Sequence, residues 1–393
     1  MAQVVRPLTA LLLLWLAGVA LRLTILAVPP VIRLIHDDLH LSETQVGILS
    51  GLPLVLFAGA AVAGSLLVAR LGALTTLVTG LLLCAIGSAM RGVGPSVAML
   101  YAATIVMAFG VAVMQPTLPQ LVRTWVPQRV GFATAVFTNG LLIGEILPAS
   151  LTIPFVLPVL HNSWQWSFVF WAAPVAIIAG IIVAFAPRQA ATANAAGAAP
   201  RRWLPDFRSG HMWRIGLMFG CVNATYFSMN GFLPDYLTQM GRPDQINAAL
   251  TALNLGQLPA SFLLLASADR MVRTSWSFLT FALICFASVL AVVFLGGIWI
   301  VIGCAIWACC GAAVLVLVLA LPPLISAPGD THRMSAGIFT ISYSCAVIVP
   351  IIGGLIWDLT GWTLAPFIPI GVCALLMIGL APTVALREKV QHG

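Results

Sequence analysis

Twelve long apolar runs, separated by short polar stretches, make up most of the 393 residues of this chain. A helix needs about 20 apolar residues to cross the hydrocarbon core of a bilayer, and the runs have about that length or more. Only 7% of the residues are charged, against about 25% in an ordinary soluble domain. A soluble fold has no means of hiding so much apolar surface. The sequence therefore predicts an all-α membrane protein of twelve transmembrane helices, with no separate soluble domain.

The runs also predict where the helices lie, to within several residues at each end. In chain order they cover residues 8–32, 44–69, 73–91, 96–122, 130–158, 165–187, 212–237, 246–267, 275–295, 298–324, 334–357 and 363–386. The one long connection follows the sixth run, is rich in Ala, Pro and Arg, and is typical of a flexible linker. We therefore expect an N-terminal six-helix half (1–190), a cytoplasmic linker (191–211) and a C-terminal six-helix half (212–393).

The basic residues predict the orientation of the chain. Lys and Arg concentrate in the cytoplasmic loops of membrane proteins. With both termini in the cytoplasm, all but four of the 18 basic residues fall on that side. Arg33, Arg91 and Arg242 fall outside, and Arg22 falls within a span. We therefore expect a multi-pass protein of a bacterial inner membrane with both termini cytoplasmic.

A faint internal repeat links the two halves. Phe137-Thr138 and Pro148 in span five recur as Phe339-Thr340 and Pro350 in span eleven, at an offset of 202 residues. Parallel repeats of this kind are typical of alternating-access transporters, which bind their solute near the membrane midplane at the repeat interface. The repeat therefore favours a transporter with its site between the halves.

Two ionisable residues, Arg22 and Glu145, lie near the centres of spans one and five. A charge there costs about 2.5–3.5 kcal/mol on insertion scales and commonly marks a substrate pathway. The forked guanidinium of Arg22 suits a carboxylate or another small anion; the alternative is a structural pair with Glu145 or with helix-end carbonyls. Glu145 has two equally supported roles, as a proton-coupling carboxylate or as the counter-ion of Arg22.

The other polar groups within the spans are neutral. Tyr226 corresponds to Arg22 at an offset of 204 residues, so each half would offer a hydrogen-bond donor to a small ligand. The full set of predicted solute contacts is Arg22, Gln115, Asn223, Tyr226, Asn230, Trp307 and Tyr343. Core packing is the favoured alternative for Trp307. We expect Asn139, Asn254 and Gln257 to make helix–helix hydrogen bonds instead.

Composition and motifs exclude several other functions. The eight cysteines all lie within apolar runs without a C-x-x-C pair, so we expect buried thiols, no metal and no cofactor. The basic residues are scattered singly, which argues against nucleic-acid binding. The chain has no phosphate-binding loop, no H-E-x-x-H and no G-x-S-x-G, which disfavours ATP-driven transport and enzymatic activity. A channel would more often show a filter or a ring of charges.

Four groups of residues form recognisable motifs. They are Leu21-Arg22-Leu23 with Pro29; Asp38-Leu39-His40-Leu41-Ser42 with Gly47 and Leu52-Pro53; Gly220, Tyr226 and Phe232-Leu233-Pro234; and Ser342-Tyr343, Pro350, Gly353-Gly354 and Asp358-Leu359-Thr360-Gly361-Trp362. Together they resemble the cyanate permease and nitroimidazole transporter family of the major facilitator superfamily. The resemblance covers nearly the whole chain. It implies the major facilitator fold, alternating access, and Arg22 as the counterpart of the family's first-helix arginine.

The resemblance also implies a cytoplasmic gate after spans two and eight. Arg70 keeps part of the superfamily's loop signature, but Ala69 occupies the place of its usual acid, whereas the second half retains Asp269-Arg270. We expect Arg70, Asp269 and Arg270 to contribute to gating. Glu145 is not expected from the family pattern, so its role would be specific to this chain.

The sequence thus predicts a monomeric secondary transporter that moves a small anion or small polar organic solute across the inner membrane. Cyanate-like, nitro and carboxylate compounds are the expected cargo, with coupling to protons or to exchange. One alternative is a multidrug or nitro-compound exporter, which should confer drug resistance. A second alternative is a membrane sensor that transports nothing.

Overall fold

The structure is a computed structural model and describes residues 7–41, 43–94, 96–187, 202–327 and 329–384. Within these ranges the chain consists of α-helices joined by turns and short 3₁₀ or π-helical segments. Before residue 188 the helices are α1 (Pro7–Leu23), α2 (Ile32–Leu39), α3 (Glu43–Leu71), α4 (Ala73–Met90), α5 (Val97–Met114), α6 (Thr117–Trp125), α7 (Val130–Leu151), α8 (Leu157–Val159) and α9 (Trp164–Phe185). After residue 201 they are α10 (Gly210–Gln239), α11 (Ile246–Leu255), α12 (Gln257–Met271), α13 (Ser275–Phe294), α14 (Ile298–Ile325), α15 (Thr331–Thr360) and α16 (Phe367–Val384).

Ten helical stretches in the described ranges are long and apolar enough to cross a membrane. They correspond to ten of the twelve predicted spans. The first exception is α1, whose continuous helix has 17 residues. The second is α10, which is 30 residues long but carries Asn223, Tyr226 and Asn230 along its middle. The all-α architecture is confirmed, and the two exceptions are the helices that carry most of the candidate solute contacts.

Span one is not the single helix that its apolar run predicts. α1 ends at Leu23, a turn follows, and Pro29–Val31 forms a 3₁₀ turn before α2. Pro29 and Pro30 lack the N–H groups that would continue the helical hydrogen bonds of the preceding turn. Arg22 consequently lies in the last turn of α1, whereas the sequence placed it in the middle of a continuous helix.

Glycines bring the backbones of α1 and α7 into direct contact. A Cβ atom on Gly140 would overlap the carbonyl oxygen of Trp15, and one on Gly144 would overlap that of Val19. Gly18 of α1 is pressed in the same way against the carbonyl oxygen of Phe137. Small residues four apart are a common means of close helix packing in membranes. This contact fixes the register of α1 against α7.

A related contact joins α10 and α15. A Cβ atom on Gly216 would lie 2.9 Å from the side chain of Ile341, and one on Gly220 would lie 2.7 Å from the Cys345 sulfur. α10 also packs along α16. Glycines therefore allow the first helix of each half to pack closely. For α1 most of them are on α7, and for α10 they are on α10 itself.

The described residues group into two compact units. One lies within Met1–Pro205 and Ser326–Gly337, and the other within Asp206–Ile325 and Ile338–Gly393. The change of unit at Pro205 falls inside the predicted linker 191–211, whose residues 191–201 lie outside the described ranges. The first turns of α15 belong to the first unit.

Candidate solute-binding site

Arg22 and Glu145 form an ion pair in the first unit. Arg22 Nε lies 3.3 Å from Glu145 Oε1, and the two side chains are 12% and 14% exposed. They are thus largely withdrawn from the surface yet not sealed. The alternative of a pair between these residues, left open by the sequence, is the arrangement that the structure contains.

The local structure explains why the two charges meet. Glu145 directly follows Gly144, which packs against Val19 of α1. The carboxylate therefore lies close to the C-terminal end of α1. Nearly two helical turns earlier on α7, Asn139 Oδ1 accepts a hydrogen bond of 3.0 Å from Trp15 Nε1. Asn139 therefore makes the helix–helix hydrogen bond expected of it. Arg22 also benefits from its place in the last turn of α1, where the helix dipole favours a cation.

A neutral polar cluster lies in the second unit, on α10 and α11. Tyr226 donates its hydroxyl proton to Asn254 Oδ1 at 2.5 Å, and Asn254 Nδ2 donates to Asn230 Oδ1 at 3.0 Å. Asn230 Nδ2 in turn donates to the backbone oxygen of Tyr226 at 2.9 Å. All three side chains are half-buried. Asn254 was expected to bond between helices, and it does so to the two predicted solute contacts.

The remaining predicted contacts are more deeply placed. Asn223 Nδ2 donates to Ser342 Oγ of α15 at 2.8 Å. Tyr343 is 2% exposed and stacks on Phe339 with ring centroids 6.2 Å apart. Trp307 is also 2% exposed, which agrees with core packing. Gln115 is buried at the junction of α5 and α6 and belongs to the first unit.

The three predicted gating residues are located at helix ends. Arg70 at the end of α3 and Arg270 at the end of α12 are exposed, and Asp269 is half-buried. Their role in gating stays a prediction, because exposure at a helix end does not define a function.

Arg123 makes contacts that the sequence did not single out. Its Nη1 donates to the backbone oxygens of Ser326 at 2.6 Å and Ala327 at 3.2 Å, and to Thr331 Oγ1 at 3.1 Å. These three acceptors lie between the end of α14 and the start of α15, within the first unit. Arg333 adds a bond of 2.9 Å to the backbone oxygen of Leu204. The guanidinium groups of Arg123 and Arg333 thus connect the start of α15 to other parts of the first unit.

Comparison with known proteins agrees with this architecture. A family model described as Major Facilitator Superfamily matches residues 11–346. The cyanate transport protein CynX of Escherichia coli is 27% identical over 361 residues, covering 89% of this chain and 90% of that protein. The 2-nitroimidazole transporter of the same organism is 25% identical over 224 residues, which cover 56% of this chain and 55% of that protein. The crystal structure of the transporter FucP in its outward conformation shares the fold with a TM-score of 0.74, at 16% identity, covering 96% of this chain and 98% of that one.

The family match and the long apolar helices define a multi-pass membrane transporter of small molecules. The chain belongs to the major facilitator superfamily, whose members are transporters rather than enzymes. The resemblance read from the sequence motifs is thereby confirmed.

Proposed function

We propose that this protein is a secondary transporter of a small anion or an anion-like nitro or carboxylate compound, and that Arg22 binds the solute. The Arg22–Glu145 pair supports this proposal, because it holds a guanidinium at the end of α1, in the first predicted span, where the side chain is still partly exposed. An intramembrane arginine is rare and commonly functional, and its fork suits a carboxylate or a similar planar anion. The relative named as a cyanate transport protein supports the same solute class. We further propose alternating access, an inner-membrane location and cytoplasmic termini, on the family and on the distribution of arginines.

Charge balance supports proton coupling through Glu145. Arg22 and Glu145 together carry no net charge, so an incoming anion would add an uncompensated negative charge at low dielectric. A proton taken up by Glu145 restores neutrality and releases Arg22 to the anion. The pair therefore favours movement of one proton with each monovalent anion.

Glu145→Gln tests this coupling. The glutamine cannot bind the transported proton, so we expect anion binding to persist while uptake no longer responds to a pH gradient. Uptake into proteoliposomes with and without an inward proton gradient measures the effect, and Asp235→Asn at an exposed position of α10 is the control. Retention of gradient-driven uptake by Glu145→Gln would show that the carboxylate is only a counter-ion.

Tyr226→Phe tests the cluster in the second unit. Loss of the hydroxyl removes the bond to Asn254, and a lost hydrogen bond is worth about 0.5–1.5 kcal/mol, so we expect KM to rise about 2- to 10-fold. Tyr101→Phe is the matched control, because the Tyr101 hydroxyl donates to the Gln45 backbone oxygen at 2.9 Å in the other unit. An equal KM in both variants and the parent would remove Tyr226 from the proposed site.

Thermal stabilisation by ligands tests the proposal as a whole, since a ligand that binds the folded state raises its stability. The purified protein is screened against cyanate, nitrate, short carboxylates and neutral nitro-heterocycles, with Arg22→Ala in parallel. Stabilisation of the parent alone by an anion supports the proposal. Equal stabilisation of both proteins by neutral heterocycles supports an exporter instead. Binding without flux in proteoliposomes points to the sensor.

A further inference from the structure

Arg91 is a second buried guanidinium, at a place the sequence assigned to an outer loop. It directly follows α4 and is 0% exposed. Its Nη2 atom donates to the Thr24 backbone oxygen at 2.7 Å and to Ser88 Oγ at 3.0 Å. The Phe168 ring of α9 covers the guanidinium, with its centroid 4.2 Å from Cζ. Arg91 therefore connects α4 and α9 to the end of α1.

The carbonyl that Arg91 contacts belongs to the break in span one. In a continuous helix the N–H of Val28 would donate to Thr24 O, but here it donates to Ile25 O at 3.4 Å. A buried backbone carbonyl without a partner costs stability comparable to a lost hydrogen bond. Arg91 supplies a donor at this point, two residues beyond Arg22.

The charge of Arg91 suits this position as well. The C-terminal end of a helix carries a partial negative charge, so a cation there is stabilising. The Thr24 side chain is also held, because its Oγ1 lies 3.1 Å from Cys84 Sγ of α4. Both the backbone and the side chain of Thr24 are thus tied to the α4 region.

The remaining donors of Arg91 are unsatisfied in the described part of the chain, so its burial lowers stability and indicates a role other than packing. Nε and Nη1 have no hydrogen-bond partner among the described residues, and a buried charge with unsatisfied donors is costly. A residue with only a packing role could be replaced by a well-packed apolar side chain without loss of stability. An apolar side chain could make neither the bond to Thr24 O nor the one to Ser88 Oγ, and the first of these reaches the break in span one.

We propose that Arg91 is a positioning residue for the solute site, which holds the break in span one and thereby places Arg22 at a helix end. This inference rests on the proposed function, because it gives Arg22 the solute. Arg91 itself touches no solute and acts through the backbone of Thr24.

Arg91→Met removes the donor while keeping most of the apolar contact with Phe168. We expect KM for the anion to rise about tenfold or more, with a smaller change in kcat, because Arg22 loses its fixed position. Backbone amides between Thr24 and Val28 should exchange with deuterium faster than in the parent. Arg91→Lys, which keeps a cationic donor but loses the planar group over Phe168, should raise KM less than Arg91→Met does.

Two further variants keep the test decisive. Ser88→Ala removes the second bond of Nη2 and should raise KM about threefold, so it carries the test if Arg91→Met does not fold. In an Arg22→Lys background, Arg91→Met should raise KM less than it does in the parent, since the two residues act on the same contact. Arg242→Met, a half-buried arginine of the second unit, is the control and should leave KM unchanged.

The outcomes separate this inference from the proposed function. If Arg22→Ala loses anion binding but Arg91→Met and Ser88→Ala keep the KM and the amide exchange of the parent, only the role of Arg91 is wrong. A lower melting temperature of Arg91→Met with an unchanged KM also overturns it, because that is the result of a purely structural residue. If Arg22→Ala binds the anion as the parent does, both proposals fail.

Discussion

Arg22→Ala is expected to lower saturable anion uptake by at least about 100-fold, because bonds between a charged donor and a solute are worth about 1.5–3 kcal/mol each and more than one is lost. The same change leaves Glu145 buried without the partner it has at 3.3 Å. Removing one member of a buried pair costs about 3–5 kcal/mol of stability. Arg22→Ala should therefore both unfold at a lower temperature and fail to transport. Arg22→Lys keeps the charge without the fork and should transport with a KM raised about tenfold.

A neutral double variant separates stability from solute binding. Arg22→Gln with Glu145→Gln removes both charges together, so stability should return to within about 1–2 kcal/mol of the parent. Uptake should remain absent, since no cation is left for the anion. Arg33→Gln, at an exposed position of α2, controls for the loss of a positive charge. Anion uptake by the folded double variant would mean that Arg22 serves only as the partner of Glu145.

Gly144→Ala is expected to destabilise the protein. The loss of stability should exceed that caused by adding a methyl group to α7 at a position that does not face α1. Its Cβ would collide with the carbonyl oxygen of Val19, a backbone atom that cannot swing aside. Overpacking of this kind typically costs about 1–3 kcal/mol. The shift of α1 would also separate Arg22 from Glu145, so uptake should fall together with the melting temperature.

Gly180→Ala is the matched control for this prediction. Gly180 is an interior residue of α9, and a Cβ there would meet nothing within 4 Å. The change should be neutral or stabilising by up to about 1 kcal/mol, the difference in helix propensity between the two residues. Equal melting temperatures for the two variants in detergent would show that α1 and α7 do not depend on backbone contact.

Hydropathy was sufficient to predict the helical architecture, because the bilayer requires long apolar runs. It could not locate the break after Leu23, since an apolar run continues through it, although Pro29 and Pro30 carried a signal. The register of α1 against α7 was likewise beyond hydropathy. The Gly140-x-x-x-Gly144 spacing was present in the sequence as a signal for that contact.

The polar groups were found more readily than their partners. Arg22 and Glu145 are visible in the sequence because charges are rare within spans, and their pairing was among the predicted alternatives. The sequence assigned Asn254 to a different role from Tyr226 and Asn230. Their contact could not be predicted, because the distance between residues on α10 and α11 depends on tertiary packing. Arg91 was assigned to the outside, since it ends an apolar run, and only the packing of α9 over it reveals its burial.

The low hydropathy of α10 has a consequence for how the chain is made. A helix with several polar groups gains little from lipid and depends on neighbouring helices. One of its main neighbours is α16, where Tyr236 meets Phe367 with ring centroids 4.8 Å apart. The end of α16 follows the end of α10 by about 145 residues, which at 5–20 residues per second requires roughly 7–30 s of synthesis. During that interval the polar face of α10 has to be kept from lipid, either by the insertion machinery or by the helices already inserted.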